Sequence, residues 1–548
     1  MNRHLEYPDL SIYGFLRSNS EKRYNLTALN YFGKKFTYKT LIENIIRTSK
    51  ALKALGVKKG DKVSICLPNI PEAIYTFYAI NRIGAVANMI HPMSAENEIV
   101  HYLTVSGSRF VIGLDLSIPR LVKAINRSNV ERFVVVSVKE SMPLMIRTAY
   151  SIKVKKIEMP SDSISWKEFI KLADNITDDE EITIDKEDCA AILYSGGTTG
   201  KPKGIMLSNY NFNVLAIQSI DACGNFFEGT KILSVMPIFH GFGLGVCIHT
   251  ALYAGGEAII LPSFKASEFH KLLFKYKPNV IAAVPAVYES FLKSNVFEGK
   301  DLSFLKCIIS GGDSLSVNTK KKMDELLRSC NCNTEVREGY GQTECVTGSC
   351  LLPEGVSRPG SCGLPYADTF YKIIDINTGA ELPSGETGEI ILRGPSVMIG
   401  YLNDPEETNK TLEKRDDGYT WLHTGDMGYI DEEGYVYFKQ RLKRMIISGG
   451  YNIYPQVIEN VIDSNPNVLM CAVIGMPDQV MGELCKAFIE FKDQDIDKDR
   501  ELEAIKAEVS KNVARYAQPR EYIIVDHLPR TLVGKIAYND LIEKYKDM

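Results

Sequence analysis

The sequence predicts an α/β protein, multi-domain and α+β overall: a large N-terminal domain of layered α/β subdomains with a β-rich subdomain, then a small C-terminal α+β domain. Three observations carry this. Helical and strand patterns alternate from the first hundred residues onward. A glycine-punctuated, strand-rich stretch covers residues 385–438 and gives way near Gln440 to a compact α/β pattern. At 548 residues the chain exceeds one hydrophobic core, so about three or four structural units are expected.

In chain order, Leu41, Ile45, Ile46, Leu52 and Leu55 share one helical face, with Thr37 as cap and Gly56 as stop. Residues 62–67 read as a short buried strand. Pro71 is tolerated in the first turn of a second helix, and residues 86–90 form another strand. The rhythm recurs at 280–284 and 307–310, which argues for a largely parallel sheet. Residues 139–158 break it. They carry Lys139, Arg147, Lys153, Lys155 and Lys156 against Glu140 and Glu158, interleaved with Met142, Leu144, Met145, Ile146, Tyr150 and Ile152. Such a stretch either lies on an anionic membrane surface or is an ordinary surface helix with snorkelling lysines. A boundary after Arg441 divides the chain into residues 1–441 and 442–548, the latter a comfortable small domain.

Composition narrows the class. A hydrophobic content of 45% and a charged content of 24% are those of a soluble globular protein. A net charge of -4 argues against nucleic-acid binding. Twelve scattered cysteines without zinc spacing read as reduced thiols of a cytoplasmic protein. The N-terminus has no apolar h-region, so no signal peptide is expected. No run of about 18 apolar residues is present to span a bilayer.

The chemistry is concentrated in a few motifs. Residues 194–204 read Tyr-Ser-Gly-Gly-Thr-Thr-Gly-Lys-Pro-Lys-Gly. Gly196, Gly197 and Gly200 let the chain approach a ligand closely. Ser195, Thr198, Thr199, Lys201 and Lys203 add donors and charge to the loop amides, which suits a polyphosphate. The spacing is not that of a Walker A loop, because only three residues separate Gly196 from Gly200 and Pro202 follows Lys201. Residues 338–344, Glu-Gly-Tyr-Gly-Gln-Thr-Glu, offer Tyr340 for stacking on a purine, Thr343 for a phosphate oxygen and Glu344 for Mg2+, a hard ion that favours oxygen ligands. Asp426, between glycine turns, can hold both ribose hydroxyls; an Asp beside Gly is more commonly a turn former. Arg441 presents a planar fork of donors to the same sugar. Lys535 near the C-terminus completes the inventory, which fits displacement at the α-phosphate of ATP by positioning and charge stabilisation.

These motifs resemble the adenylate-forming superfamily of acyl-CoA synthetases, firefly luciferases and peptide-synthetase adenylation domains. The resemblance runs from about Lys35 to Lys535. It rests on the loop 195–204, Met236-Pro-Ile-Phe-His240, Tyr340 to Glu344, Thr424-Gly-Asp426, and Arg441 through Tyr454-Pro455 to Gly534-Lys535, all in the family's order. It implies that a carboxylate attacks ATP to give acyl-AMP and pyrophosphate, and that a thiol, coenzyme A or a carrier-protein pantetheine, then takes the acyl group. It also implies a mobile C-terminal domain that turns about Lys443, with Lys535 serving the first half-reaction and Gly449 and Gly450 lining the thiol path in the second. Gly312, Asp313, Ser314, Tyr340 and Gly341 are the further nucleotide contacts that it implies. Three departures stand out: Gly196 replaces a usual serine, Gln440 stands where Gly or Asp is common, and Tyr538 replaces a usual basic residue.

The same resemblance bears on the acid. Peptide-synthetase domains anchor the substrate amine with an Asp directly after the phenylalanine of this region, but here Phe239 is followed by His240 and no carboxylate lies between Phe239 and Gly255. Residues 236–245 are similar instead to fatty-acyl and aryl-acyl ligases, in which the aromatic–His pair lines the acyl pocket. Gly241, Gly243 and Gly245 are expected to leave an open apolar path for a long chain, and the stretch 139–158 resembles an insertion of long-chain synthetases. The expectation is a medium- or long-chain fatty-acid–CoA ligase using ATP, Mg2+ and coenzyme A. An aryl-acid–CoA ligase and an acyl-AMP ligase loading a carrier protein are the alternatives.

Overall fold

The computed structural model describes residues 4–154, 157–177, 182–195, 202–293, 295–448, 451–453, 455–478, 481–493, 496–531 and 535–545. Local sequence rules account for the elements that frame the site. The helix Tyr38–Leu55 starts at Thr37, whose hydroxyl accepts from the Thr40 amide, and stops at Gly56, a left-handed residue with φ 99°. Leu41, Ile45 and Leu52 face the core and are fully buried. Pro71 opens the helix Pro71–Arg82, which is buried throughout its length.

The alternation builds two sheets rather than one. An eight-stranded sheet is parallel through Val86–Met89, Lys62–Cys66, Phe110–Leu114, Arg132–Val136 and Ser163–Ser165, and Cys189–Ser195 joins it in parallel. Lys203–Ser208 and Gly400–Tyr401 then extend that edge in antiparallel fashion. A nine-stranded sheet has a parallel middle, Thr27–Tyr31, Glu257–Ile260, Lys231–Ser234, Val280–Ala283, Cys307–Ser310 and Val336–Tyr340, with antiparallel strands at both edges. Helices cover both sheets, as a parallel sheet requires, and one continuous apolar core joins them. The glycine-punctuated stretch supplies Gly388–Arg393, Thr420–Ile430, Leu412–Lys414 and Val436–Arg441 to a five-stranded antiparallel sheet, whose fifth strand, Phe370–Ile374, precedes it.

Beyond Arg441 a second five-stranded sheet is built around Val468–Asp478 and Gly482–Phe491. Side chains alternate across a strand. Cys471 and Val473 face one apolar cluster with the helices Pro455–Asp463 and Lys498–Asn512, while Ala472, Ile474 and Met476 face another with the helix Tyr538–Tyr545. Neither cluster merges with the large core. All twelve cysteines are free, and ten are buried.

Candidate functional site

The nucleotide motifs converge where the two large sheets and the antiparallel sheet meet. The strands Cys189–Ser195 and Lys203–Ser208 pair in antiparallel register, Tyr194 opposite Gly204 and Ser195 opposite Lys203. The loop they flank is thus presented by a hairpin, not by the strand-to-helix turn of a Walker A motif, which agrees with its spacing. Gly196, Gly197, Thr198, Thr199 and Gly200 lie outside the described residues. The approach to the loop is fixed: the Tyr194 hydroxyl donates to Asn88 Oδ1 at 2.7 Å, and its ring lies 4.1 Å from that of Tyr102. Lys203 is ion-paired with Glu407 and lies over the Tyr401 ring.

The strand Val336–Tyr340 delivers the second motif. Beyond it, Val346 and Thr347 adopt left-handed angles, φ 54° and 74°, which non-glycine residues rarely take. This strained turn presses on Gly341, where a Cβ would stand 2.6 Å from the Thr347 carbonyl. Glu344 sits beside the turn in a short 3₁₀ segment, Thr343–Cys345. Its Oε1 accepts from the Tyr401 hydroxyl at 3.0 Å, and burial raises its pKa against the pull of that bond and of Arg441.

Asp426 is almost fully buried at 1% exposure. Oδ2 accepts from the Tyr340 hydroxyl at 2.7 Å and from Gln342 Nε2 at 2.8 Å. Oδ1 is buried without a hydrogen bond, 3.3 Å from Arg441 Nε. That ion pair offsets part of the cost of burying the carboxylate, and Oδ1 keeps capacity to accept a hydrogen bond. Arg441 stands directly opposite Asp426 in the hairpin register.

The C-terminal unit adds Lys535. It lies 3.9 Å from where a Cβ on Gly312 would be, and Gly312 holds φ 81° at the tip of the strand Cys307–Ser310. Burial lowers the pKa of its ammonium, opposed by the charge of Asp313. Ser314 donates its amide to Asp313 Oδ1. His240 is held by the Phe242 amide, which donates to Nδ1 at 3.2 Å. Burial and the Lys535 charge push its pKa down to about 4, so the imidazole is neutral at pH 7. Lys443 falls in the 3₁₀ turn Leu442–Arg444 between the two units. Gly449 and Gly450 lie outside the described residues.

One expectation is corrected. Gly241, Gly243 and Gly245 do not open a path. A Cβ at Gly241 would stand 2.1 Å from Thr347 Oγ1, at Gly243 2.1 Å from the Pro237 carbonyl oxygen, and at Gly245 2.7 Å from Leu215 Cδ2. They are small so that the His240 segment, the Glu344 turn and the neighbouring helix can touch. The residues 242–249 they punctuate are buried throughout. Sequence reading also passed over three contributors. Gln342, inside the quoted motif, grips both Asp426 and the Thr424 carbonyl. Tyr401 and Glu407 carry no local signal: the strand Gly400–Tyr401 brings Tyr401 to Glu344, and the following helix Pro405–Thr411 brings Glu407 to Lys203. His423 bonds Glu389 and Glu413 through its two ring nitrogens, at 3.0 Å each.

A site with an almost fully buried carboxylate paired to an arginine, a second, half-buried carboxylate and a lysine from the C-terminal unit is suited to a nucleotide polyphosphate. Similarity to known proteins agrees. The AMP-binding enzyme family matches residues 16–402, and the AMP-binding enzyme C-terminal domain matches residues 457–535. A long-chain-fatty-acid–CoA ligase of Bacillus subtilis (strain 168) is 33% identical over 98% of this chain and 95% of its own length. A 4-coumarate–CoA ligase of Arabidopsis thaliana is 30% identical over 94% of this chain and 87% of its own. Among solved structures, an anthranilate CoA ligase in complex with anthranoyl-AMP superposes with a TM-score of 0.86 at 25% identity, covering 99% of this chain and 98% of that one. The fold, the ordered motifs and the full-length matches together make this chain a member of the AMP-binding enzyme family, an adenylate-forming acid–CoA ligase.

Proposed function

We propose that the protein activates a medium- or long-chain fatty acid with ATP and transfers the acyl group to coenzyme A. In the first half-reaction a carboxylate oxygen attacks the α-phosphorus and the bond to pyrophosphate breaks, giving acyl-AMP. In the second, the thiol sulfur attacks the acyl carbon, AMP leaves, and the thiol proton passes to solvent. Asp426 and Arg441 hold the ribose, and Tyr340 with Gly312, Asp313 and Ser314 forms the base and sugar platform. The loop 195–200 with Lys203 cradles the phosphates. Thr343 contacts a phosphate oxygen, and Lys535 meets the charge that develops at the α-phosphate. Glu344 presents a carboxylate next to Thr343 in the chain, hard oxygen ligands that would hold Mg2+ jointly with phosphate; the ion would supply charge neutralisation there. Residues 1–441 and 442–548 act as the two domains, with Lys443 as hinge, and the separate apolar cores on either side support that division. Gly449 and Gly450 line the thiol path.

The observation carrying the substrate reading is the uncharged segment that follows a neutral His240. From residue 241 to 255 there is no Asp, Glu, Lys or Arg, and the helical turns 242–249 are wholly buried. The segment therefore offers no carboxylate to pair with a substrate ammonium, which favours an acid without an amine, and the fatty-acid specificity named for the Bacillus relative is consistent with it. Pyrophosphate release across a panel of carboxylic acids tests the reading. Activity greatest with an aryl acid, such as coumarate or benzoate, would replace the fatty acid.

A further inference from the structure

The stretch singled out at residues 139–158 has no part in the chemistry above, and its geometry is unusual for a water-facing surface. The helix Leu144–Lys153 has no fully buried residue. Ile146 and Tyr150 pack partly against the large core and anchor it. On a helix, residues advance by about 100° each. Leu144, Met145, Thr148, Ala149 and Ile152 therefore fall within an arc of about 140° that faces away from the anchoring pair. Leu144 is 78% exposed, Met145 87% and Ile152 80%, the three most exposed large apolar side chains among the described residues. A surface helix ordinarily presents charge on this face.

The charges sit at the borders of the stripe. Arg147 and Lys153 flank it on its two sides, and the helix contains no acidic residue. Arg147, Lys167 and Lys171 line one cleft with Glu140 as its single carboxylate. An apolar outward stripe bordered by basic side chains is the pattern of a helix that lies in the plane of a membrane interface, where anionic headgroups attract each basic residue by about 1 kcal/mol. Location matters as well. Ser141, just before the helix, donates to buried Glu72 at 2.5 Å. Glu72 lies in the helix Pro71–Arg82, and Asn69 just ahead of that helix bonds Met236 and Ile238 of the acyl-site segment.

We propose that the helix Leu144–Lys153 docks this protein on an anionic lipid surface, its apolar stripe at the acyl boundary and its basic borders on the headgroups. The inference stands apart from the choice of acid substrate. Full-length protein should co-sediment with phosphatidylcholine vesicles containing phosphatidylglycerol, bind pure phosphatidylcholine far less, and be released by added salt. The triple variant Leu144→Ser, Met145→Ser, Ile152→Ser should bind at least tenfold more weakly. Arg147→Glu with Lys153→Glu should lose about fivefold or more for each residue changed. These side chains are exposed, so both variants should keep wild-type adenylation of a water-soluble acid, which also shows that they fold. Wild-type protein that ignores phosphatidylglycerol vesicles overturns the proposal. So does undiminished vesicle binding by the triple variant. If lipid-free wild-type protein is a dimer that the triple variant converts to monomer, the stripe is a contact between copies instead, and the proposal also fails.

Discussion

At the scale of single residues, burial decides which groups carry charge. His249 is fully buried, its ring nitrogens bonded to the Tyr78 hydroxyl and to Asn213 Oδ1. Burial pushes its pKa down to about 3. In the unfolded chain a histidine titrates near 6.5. Both states are neutral above that value, so the full contribution is present there. As pH falls from 6.5 toward 3, the unfolded chain takes up a proton that the native state refuses, and stability is lost by about 1.4 kcal/mol per pH unit. Glu72 and Glu338, raised by burial to about 7 and about 8, act in the opposite sense in the range below pH 8. Comparing wild type with His249→Gln isolates the histidine: their unfolding free energies should converge as pH drops from 6.5 to 4, and parallel curves would exclude this account. For Lys535→Ala we expect acyl-AMP formation to fall by about 10²–10³, while thioester formation from supplied acyl-AMP stays near wild type. Rapid-quench assays of the two half-reactions decide it, and equal losses in both would refute the division of labour.

At the scale of elements, the connector is the informative piece. The strand Val436–Arg441 passes into the turn Leu442–Arg444 and at once into the strand Ile446–Ser448. Arg444 pairs with Glu459 and lies 3.7 Å from the Tyr538 ring, so the departure noted at Tyr538 has a structural role: the aromatic face takes the arginine that a basic residue would repel. If the C-terminal unit rotates about Lys443 as proposed, the backbone angles at this turn must change, and proline fixes φ near -65°. Lys443→Pro should therefore depress one half-reaction strongly and leave the other close to normal. Unchanged rates in both would move the hinge elsewhere. Elements of this kind were legible in the sequence where a cap and a breaker bracket a periodic run, as Thr37 and Gly56 do for the helix Tyr38–Leu55. The division of the strands into two sheets was not legible, because pairing between Cys189–Ser195 and Val86–Met89 depends on contacts a hundred residues apart.

At the scale of the whole molecule, the site is an intersection. The motifs proposed for the nucleotide stand out in the sequence because each is a short run whose chemistry is local, such as Glu344 beside Thr343. The supports were not: Tyr401 reaches Glu344 from 57 residues away. The glycines at 241, 243 and 245 show the same limit in reverse, since a small residue signals closeness or openness alike until its neighbours are known. Substrate preference is also a property of the assembled molecule. Each buried methylene is worth roughly 0.8 kcal/mol, so kcat/KM should rise steeply from hexanoate upward and then level off when the chain outgrows the apolar region. A profile in which acetate or benzoate exceeds every acid of about eight or more carbons would remove the fatty-acid assignment.

The register that sets Arg441 opposite Asp426 has a consequence for timing. Arg441 is the last residue of its strand, and the connector begins with the next one. A nucleotide that engages Asp426 and the Arg441 fork, as proposed, would also fasten the end of the connector. If Asp426 and Arg441 hold the ribose as proposed, AMP that lingers after acyl transfer would hold the small domain in place, and we expect departure of AMP, not of the thioester, to set the reset for the next turnover. Amide hydrogen exchange across residues 441–446 should slow when AMP is added, by a factor that follows AMP occupancy. Exchange there that is indifferent to AMP would uncouple nucleotide release from the reset.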